Sequence, residues 1–332
     1  MVLPQAAEFP AHLVRAKERR RELFHPRSNE EPTTVFRWVN GAGDGVLGLN
    51  LDVYGEWLVA HVYPCDNRPF EHSALGHLQN LGYQGVYLKI HPKQANTVVD
   101  AVKKGLATQE PLWGNAAPSR LKVVENGIPY WVRLGDGLAT GLYLDQRNTR
   151  ERVRALSRDR RVLNLFAYTC GFGVAAGLGK AAMVVNVDTS KRALKWGEEN
   201  LRLAEVPMDR QRLIHDDAIT VLERHRRQGR RFDAVILDPP SYARTRQRRL
   251  SVSKDYPKLL SLSIGVLEDR GMLFACCNHA GTRLSDLKNE IREAAQQLGR
   301  RSPSLRESVP ALDFPVPKGQ TAALKVLEAG FL

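Results

Sequence analysis

The second half of the chain alternates apolar strands with amphipathic stretches, and this pattern constrains the fold more than any other feature. From Arg150 onward the strand candidates are RVLNLFAY, MVVNVD, RLIHDD, FDAVILD and MLFACC. Between them lie stretches of helical periodicity such as SKRALKWGEENLRLAEV and AITVLERHRRQG. Continuous apolar strands separated by helices are typical of a parallel sheet that is covered on both faces. We therefore predict an α/β fold with a Rossmann-like sheet here.

The first half of the chain has a different pattern of apolar and polar residues. Its basic start, LVRAKERRRELFHPR, predicts either a first helix or a basic arm over residues 1–32. From Val35 onward, short apolar–polar alternations are broken by Gly41–Gly48 and by Tyr54-Gly55, which indicates strands joined by turns. A helix-like stretch near 70–82, a strand at 86–90 and an Asn-Gly hairpin within 121–135 follow. We expect a small mixed α/β domain over residues 33–126 and a second domain over 127–332.

Length and composition exclude several classes of protein. At about 150 residues per domain, a chain of 332 residues is long enough for two domains. Its 49 Lys and Arg residues outnumber 36 Asp and Glu residues, a net charge of +13 that suits a polyanionic partner. We find no apolar run of membrane-spanning length and no secretory signal pattern. The four cysteines, too few and too irregular for disulfides or zinc, predict a reduced, cytoplasmic protein without metal: Cys65, Cys170, Cys276 and Cys277.

A glycine-containing turn after the first strand of the second half predicts a nucleotide-cofactor site. The segment VLNLFAYTCGFGVAAGLG places Gly171 and Gly173 where the backbone can approach a ligand closely. The next strand ends in Asp188, about 17 residues later, where a carboxylate can bind ribose hydroxyls. The turn does not read GxGxxG, which disfavours a dehydrogenase. Ordinary turn glycines, and a helix N-cap role for Asp188, remain the alternatives.

Two later strand ends also carry polar side chains. Asp217, after RLIHDD, stands where an acid can accept the adenine amino group, and helix capping or solvation is its alternative role. The tetrad at 238–241 reads DPPS, and its two prolines predict a rigid, non-helical loop. Such a loop can hold carbonyl groups towards a flat base that has left its stack. A stiff loop without a ligand is the alternative.

A pair of cysteines, Cys276 and Cys277, ends the following strand. A cysteine at the ligand-binding edge of an α/β sheet is a candidate nucleophile in its thiolate form. Buried cysteines are also common core residues. Adjacent residues of a strand point to opposite faces, so one of the pair can pack beneath a helix while the other faces a site.

Taken together, these motifs resemble the class I S-adenosylmethionine-dependent methyltransferases of large-subunit ribosomal RNA, and most closely the cytosine-C5 branch. The resemblance is carried by YLDQR at 143–147, VLNLFAYTCGFGVAA, VDTS, DDA, DPPSY and ACCNH, and it extends from about residue 35 to FPVPKGQTAALKVLEAG. The block from Phe36 to Tyr63 is similar to the small middle domain of those enzymes. The resemblance implies a seven-stranded sheet, S-adenosylmethionine as cofactor, and 23S ribosomal RNA or an assembling large subunit as partner. Homodimerisation stays open.

The resemblance also implies roles for individual residues. The cofactor entrance would be formed by Tyr143, Asp145, Gln146 and Arg147, and the methionine part by Phe166, Tyr168, Gly171 and Gly173. Asp188 would hold the ribose, Asp217 the adenine, and Asp238 would border both the cofactor and the base. Cys277 would be the nucleophile. The substrate base would meet Pro239, Pro240, Ser241 and Tyr242.

The segment after the DPPS loop is rich in arginine and is our candidate for RNA contact. It carries Arg244, Arg246, Arg248, Arg249 and Lys254. Phosphate contacts from these side chains would supply salt-dependent affinity beside a base that has left its stack. A solvated loop is the alternative interpretation.

The chain departs from the cytosine-C5 pattern in three ways. A basic segment to about residue 32 stands in place of the N-terminal RNA-binding domain of many relatives, of the pseudouridine-synthase-associated type. No second cysteine follows Pro240, so a mechanism with one cysteine is required. Finally, AGLG, RALKWGEENLRLAEV and Asn278 also resemble a sister branch that methylates guanine at N7 without a nucleophilic cysteine. That enzyme is the first alternative, and a non-catalytic RNA-binding ribosome-assembly protein is the second.

Overall fold

The computed structural model describes residues 8–27, 31–63, 75–92, 105–240, 242–244 and 249–331, with the backbone alone for 242–244 and 249–254. The chain forms two compact units. Unit 1 comprises Met1–Arg147 together with Pro310–Thr321, and unit 2 comprises Asn148–Val309 together with Ala322–Leu332. The division at Arg147 differs from the boundary at 126–127 expected from the sequence, and a late segment of the chain belongs to the first unit.

Unit 1 is built on a five-stranded sheet of order β1-β2-β3-β4-β5, in which only β3 and β4 pair in parallel. Its strands are β1 (Val35–Asn40), β2 (Leu49–Tyr54), β3 (Trp57–Val62), β4 (Gly85–Ile90) and β5 (Trp113–Gly114). Short 3-10 helices span Gly41–Asp44, Gly76–Asn80 and Leu144–Gln146. The strand expected at 86–90 is therefore confirmed. The helix expected near 70–82 is a 3-10 helix over 76–80, and residues 70–74 lie outside the described residues.

A separate hairpin in unit 1 joins β6 (Leu121–Glu125) to β7 (Ile128–Val132). Its turn residues, Asn126 and Gly127, both have positive φ, at 46° and 74°. A two-residue turn of this kind needs left-handed backbone at both positions, which explains the Asn-Gly pair. The predicted hairpin is confirmed, and the expected domain boundary at 126–127 falls within its turn.

The basic N-terminal segment forms helices that belong to unit 1. Helix α1 spans Phe9–Arg19 and α2 spans Arg21–Phe24. Phe9, Leu13 and Ala16 recur at helical spacing and are buried in one cluster with the sheet residue Trp38. The Trp38 indole N–H donates to the carbonyl of Leu13 at 3.1 Å. Of the two alternatives from the sequence, a packed first helix is therefore the one observed.

A buried arginine ties the late segment 310–321 to unit 1. The side chain of Arg20 is fully buried, forms an ion pair with Asp44 at 2.6 Å and donates to the carbonyl of Asp313 at 2.9 Å. The carboxylate of Asp313 accepts from the Arg37 backbone N–H at 2.9 Å and forms an ion pair with Arg147. These bonds satisfy charges that would be costly to bury alone. They hold the returning segment against Arg20, β1 and Arg147.

A second polar group in unit 1 links four side chains across the sheet. Asp52 accepts from Arg37 at 2.7 Å and lies 3.4 Å from Nε2 of His61, whose Nδ1 lies 3.0 Å from Nε2 of His91. Tyr63 stacks on the His91 ring at 4.2 Å. Burial, reinforced by the charges of neighbouring cations, lowers the pKa of His91 to about 3. His91 is therefore neutral near pH 7.

This depressed pKa predicts that the folded state loses stability in acid. The unfolded chain binds a proton at this histidine near pH 6.5 but the folded chain only near pH 3, so unfolding is favoured as the pH falls between these values. In His91→Phe, the free energy of unfolding should decline less between pH 7 and pH 5 than in the wild type. Denaturant titrations at both pH values measure this. His77→Gln, at an exposed histidine, should decline as the wild type does. An unchanged decline in His91→Phe would contradict the assignment.

Unit 2 contains a seven-stranded sheet of order β10-β9-β8-β11-β14-β16-β15. The first five strands of that order run parallel, and β16 is antiparallel to both of its neighbours. The strands are β8 (Arg161–Leu165), β9 (Met183–Asp188), β10 (Gln211–His215), β11 (Phe232–Leu237), β14 (Leu267–Cys277), β15 (Ser304–Glu307) and β16 (Lys325–Gly330). A short hairpin pairs β12 (Tyr242–Arg244) with β13 (Arg249–Ser251). The predicted strands, the sheet and its strand count are all confirmed.

Helices cover both faces of this sheet. They are α3 (Arg147–Leu156), α4 (Gly171–Leu178), α5 (Lys191–Leu203), α6 (Ala218–Arg227), α7 (Val252–Gly265) and α8 (Leu284–Gln297). One apolar cluster joins α6, α7 and α8 to one face of the sheet, and another joins α3 and α4 to the opposite face. Along β14, Leu273 and Ala275 belong to the first cluster and Phe274 to the second, as strand alternation requires.

Two features are absent from the described part of the chain. None of its helices combines the length and the hydrophobicity that are needed to span a bilayer. No group of three or more His, Cys, Asp or Glu side chains there is arranged to hold a metal ion.

A buried row of amides crosses three strands of unit 2. The Asn164 side chain donates to Asn186 at 2.9 Å, and Asn186 donates to Gln211 at 3.0 Å. Helix α4 lies directly against this row, because a Cβ atom placed on Gly173 would stand 2.2 Å from Oδ1 of Asn186. Gly173 is therefore required by internal packing, which the sequence motif alone did not reveal.

Gly173→Ala should destabilise the protein. The added methyl group collides with a hydrogen-bonded amide that cannot move freely, so we expect the free energy of unfolding to fall by about 1–3 kcal/mol. Gly76→Ala is the matched control, because a Cβ at Gly76 meets no atom within 4 Å; it should change stability by less than about 0.5 kcal/mol. Denaturant titration measures both. Equal stability of the two variants would contradict the packing role.

Candidate active site

The parallel strands of unit 2 bring the predicted site residues to one edge of the sheet. Strands β8, β9, β10, β11 and β14 are parallel, so their carboxyl ends share an edge. Asp188 and Cys277 are the last residues of β9 and β14, and Phe166 to Cys170, Asp217 and Asp238 follow the ends of β8, β10 and β11. In open α/β sheets, ligands bind in the crevice outside the carboxyl ends of the strands.

The loop after β8 has an unusual backbone. Phe166, Tyr168 and Cys170 have φ values of 58°, 49° and 59°, although none of them is glycine. Left-handed backbone at such residues costs about 1–3 kcal/mol each and persists only where surrounding structure imposes it. Strain of this kind is concentrated at functional sites, which marks this loop as the centre of the candidate site.

Helix α5 and strand β9 hold the strained loop in place. The Asn200 amide donates to the carbonyl of Thr169 at 3.0 Å. Gly197 permits close approach, since a Cβ there would stand 2.4 Å from Sγ of Cys170. Burial raises the pKa of the Cys170 thiol, so this cysteine is a packing residue in its neutral form. Asn200 and Gly197 were not recognised in the sequence, because nothing in their local pattern distinguishes them.

Asp188 organises the same loop through both of its carboxylate oxygens. One oxygen accepts from the backbone N–H of Tyr168 and the other from that of Ser190, each at 2.7 Å. Burial raises the pKa of Asp188, and these two donors oppose the rise. The N-cap of α5 is Ser190, which accepts from the N–H of Ala193 at 3.1 Å. The alternative role of Asp188 as that N-cap is therefore wrong.

Asp217 caps the following helix. Its Oδ1 accepts from the backbone N–H groups of Ile219 and Thr220, at 3.0 and 3.2 Å, and so begins α6. Its neighbour Asp216 pairs with Arg224 at 3.0 Å. The alternative role of Asp217 as a helix cap is therefore correct for its Oδ1 atom. Its predicted contact with adenine stays a prediction.

Near the carboxyl end of β14, several titratable groups surround a buried tyrosine. The Tyr256 hydroxyl donates to the carbonyl of Cys276 at 2.8 Å. Burial raises the pKa of Tyr256 well above its ordinary value, and the charges of Cys276, Cys277, Asp238 and Glu290 add to this effect. Asp238 and Cys277 therefore both act on Tyr256, and their predicted roles in the site stay predictions. Tyr256 itself, on α7, belongs to no recognised motif.

The two cysteines of β14 point to opposite faces. Cys277 belongs to the apolar cluster formed with α6, α7 and α8, and only 1% of it is exposed. Its partner across the β14–β16 pair is Lys325, which is also buried and donates to the carbonyl of His279 at 2.9 Å. Lys325 was not singled out in the sequence, where it is one lysine in an apolar run.

The YLDQR segment belongs to unit 1. Tyr143 is 56% exposed, whereas Gln146 and Arg147 are buried. Arg147 forms an ion pair with Asp313, and its Nη1 atom is buried without a hydrogen-bond partner among the described residues. Burial raises the pKa of Asp313, an effect that the charge of Arg147 opposes. Arg147 therefore makes an ion pair within unit 1 through Nη2, and its Nη1 has no hydrogen-bond partner among the described residues.

The predicted base-facing and RNA-facing residues are only partly described. Asp238 is half-buried, Pro239 is buried and Pro240 is exposed. The remaining positions lie outside the described residues or have no described side chain: Ser241, Tyr242, Arg244, Arg246, Arg248, Arg249 and Lys254.

The chain is similar in sequence to known methyltransferases. Residues 99–313 match the family model described as S-adenosylmethionine-dependent methyltransferase. Bacillus subtilis YwbD is 32% identical over 313 residues, covering 93% of this chain and 76% of that protein. Ribosomal RNA large subunit methyltransferase I of Escherichia coli K12 is 31% identical over 285 residues, covering 85% of this chain and 70% of that protein.

The chain is also similar to a methyltransferase of known structure. The crystal structure of SMU.776 complexed with SAH superposes with a TM-score of 0.85 at 28% identity, covering 99% of this chain and 83% of that one. Both the family model and the relatives extend over most of the chain. The chain belongs to the S-adenosylmethionine-dependent methyltransferase family.

Proposed function

We propose that this enzyme transfers a methyl group from S-adenosylmethionine to carbon 5 of a cytosine in 23S ribosomal RNA, with Cys277 as the nucleophile. The observation that carries the proposal is the position of Cys277, which ends β14 beside the Asp238 strand end and opposite the buried cation Lys325. The printed name of the Escherichia coli relative supports large-subunit ribosomal RNA as the substrate. The net charge of +13 suits a polyanion.

The residues at the carboxyl edge of unit 2 fit the cofactor. The loop at 166–170 is held in a strained backbone by Asp188 and Asn200, as a preorganised binding loop requires. Phe166, Tyr168 and Gly171 would flank the methionine part, Asp188 would bind the ribose hydroxyls and Asp217 the adenine amino group. Bound S-adenosylmethionine supplies an electrophilic methyl group. Tyr143, Gln146 and Arg147 remain assigned by the resemblance of YLDQR alone.

A cysteine nucleophile would overcome the low reactivity of carbon 5 of cytosine. Carbon 5 of cytosine is too weakly nucleophilic to take a methyl group directly. Addition of the Cys277 thiolate to carbon 6 would make carbon 5 enamine-like, so that it can form the new carbon–carbon bond. Asp238 would bind the N3 and amino edge of the ring. Loss of the carbon-5 proton then expels the thiolate and restores the aromatic base.

One observation favours a second candidate, the guanine-N7 enzyme. Cys277 packs in the same apolar cluster as Leu287 and Ile291 and is almost fully buried. A structural cysteine would have these surroundings. Guanine N7 already carries a lone pair, so an enzyme acting there would need no thiolate.

The experiment that separates the two uses labelled S-adenosylmethionine, unmodified large-subunit RNA and digestion of the product to nucleosides. We expect label in 5-methylcytidine, reduced to background by Cys277→Ala because the covalent step is lost. Cys276→Ala is the matched control, since its side chain points to the opposite face; it should retain transfer. Label in 7-methylguanosine that survives Cys277→Ala would refute the cytosine assignment. Absence of any label, with cofactor bound, would refute the RNA substrate tested.

A second test concerns the cofactor site. In Asp188→Asn the charged acceptor is lost while the side-chain shape is kept, so S-adenosylmethionine should bind about 10- to 100-fold more weakly, since hydrogen bonds to charged groups contribute about 1.5–3 kcal/mol. Isothermal titration calorimetry measures the dissociation constant. Asp209→Asn, at an exposed aspartate, should bind as the wild type does. Equal affinity in both variants would remove Asp188 from the cofactor site.

A further inference from the structure

Lys325 is a buried cation without a carboxylate partner. Only 6% of it is exposed, and its ammonium donates to the carbonyl of His279 at 2.9 Å. Among the described residues no Asp or Glu side chain forms an ion pair with it. Buried charges are ordinarily paired, because an isolated one loses its hydration without compensation. A buried ammonium of this kind therefore calls for an anion nearby.

The strand register places Cys277 where that anion is needed. Lys325 and Cys277 are directly opposed in the antiparallel β14–β16 pair, so their side chains lie on the same face with Cβ atoms about 4.5–5.5 Å apart. The Lys325 ammonium donates to the carbonyl of His279, two residues beyond Cys277 and the end of β14. Burial lowers the pKa of Lys325, and a charge on Cys277 opposes this.

The titratable groups that share the surroundings of Tyr256 with Cys277 cannot play this part. Tyr256, on α7, is held neutral by burial, and its hydroxyl is engaged by the carbonyl of Cys276. Asp238 and Glu290, which with Cys277 act on Tyr256, would repel a thiolate when charged. Burial raises the pKa of Glu290, which reduces that repulsion. Among these groups Lys325 alone can carry a positive charge towards the sulfur.

We propose that Lys325 is a positioning residue that holds Cys277 as a thiolate through a buried ammonium–thiolate pair. The pair forms when the Cys277 thiol releases its proton to solvent beside the Lys325 ammonium, so the net charge of the buried pair falls from +1 to zero. The buried ammonium and the buried thiolate then neutralise each other. This inference rests on the proposed function, in which Cys277 adds to carbon 6 of cytosine.

The test measures the alkylation of Cys277 by iodoacetamide in the full-length protein between pH 6 and pH 9, followed by peptide mass spectrometry that distinguishes it from Cys276. At pH 7, Lys325→Met should slow alkylation at least about tenfold, because the thiolate is the reacting form. The pH profile should move to higher pH. Lys325→Arg keeps the charge and should restore most of the rate. Lys195→Met, at an exposed lysine, should react as the wild type does.

The same variants are then assayed for labelled 5-methylcytidine. Loss of both alkylation and product in Lys325→Met, with both restored in Lys325→Arg, is the expected result. Unchanged alkylation in a folded Lys325→Met variant, or a wild-type Cys277 that never reacts, would overturn the inference while leaving the proposed function to the nucleoside assay. A wild-type product other than 5-methylcytidine would refute the proposed function itself, and the catalytic role of the pair with it.

Discussion

The parallel pairing of β8, β9, β10, β11 and β14 is the constraint on which the candidate site depends. Parallel strands need helical crossovers, and these return each strand to the same end of the sheet. Five connections therefore begin at one edge, where acids, prolines and cysteines far apart in the chain come together. No single motif in the sequence contains this site, because its parts belong to different strand ends.

Buried polar groups then determine the finer geometry of both units. In unit 2, Asp188 and Asn200 hold three non-glycine residues in left-handed backbone, and the amide row from Asn164 to Gln211 sets how closely α4 approaches the strands. In unit 1, Arg20 and Asp313 bind the returning segment 310–321. Each of these bonds stabilises a conformation that apolar packing alone does not specify, since burial without a partner is costly for polar atoms.

Cys277 combines a property of catalytic cysteines with a property of structural cysteines. Catalytic thiols tend to be partly exposed in electropositive surroundings, whereas structural thiols are buried among apolar side chains. Cys277 is buried like the second kind but stands opposite a lysine like the first. In the mechanism that we propose, the role of Cys277 depends on charge pairing with Lys325 in the interior.

Local sequence patterns were enough to predict the α/β class, the strands of the second half, the Asn-Gly hairpin and the strand ends that carry Asp188, Asp217, Asp238 and Cys277. These follow from local patterns, namely apolar periodicity and turn chemistry, which act over a few residues. Four further facts required the folded chain: α1 packs in unit 1, residues 310–321 return there, Ser190 rather than Asp188 caps α5, and Lys325 is paired with Cys277 across two strands. Those facts depend on strand register and on contacts between residues distant in the chain, and short-range patterns carry no information about either.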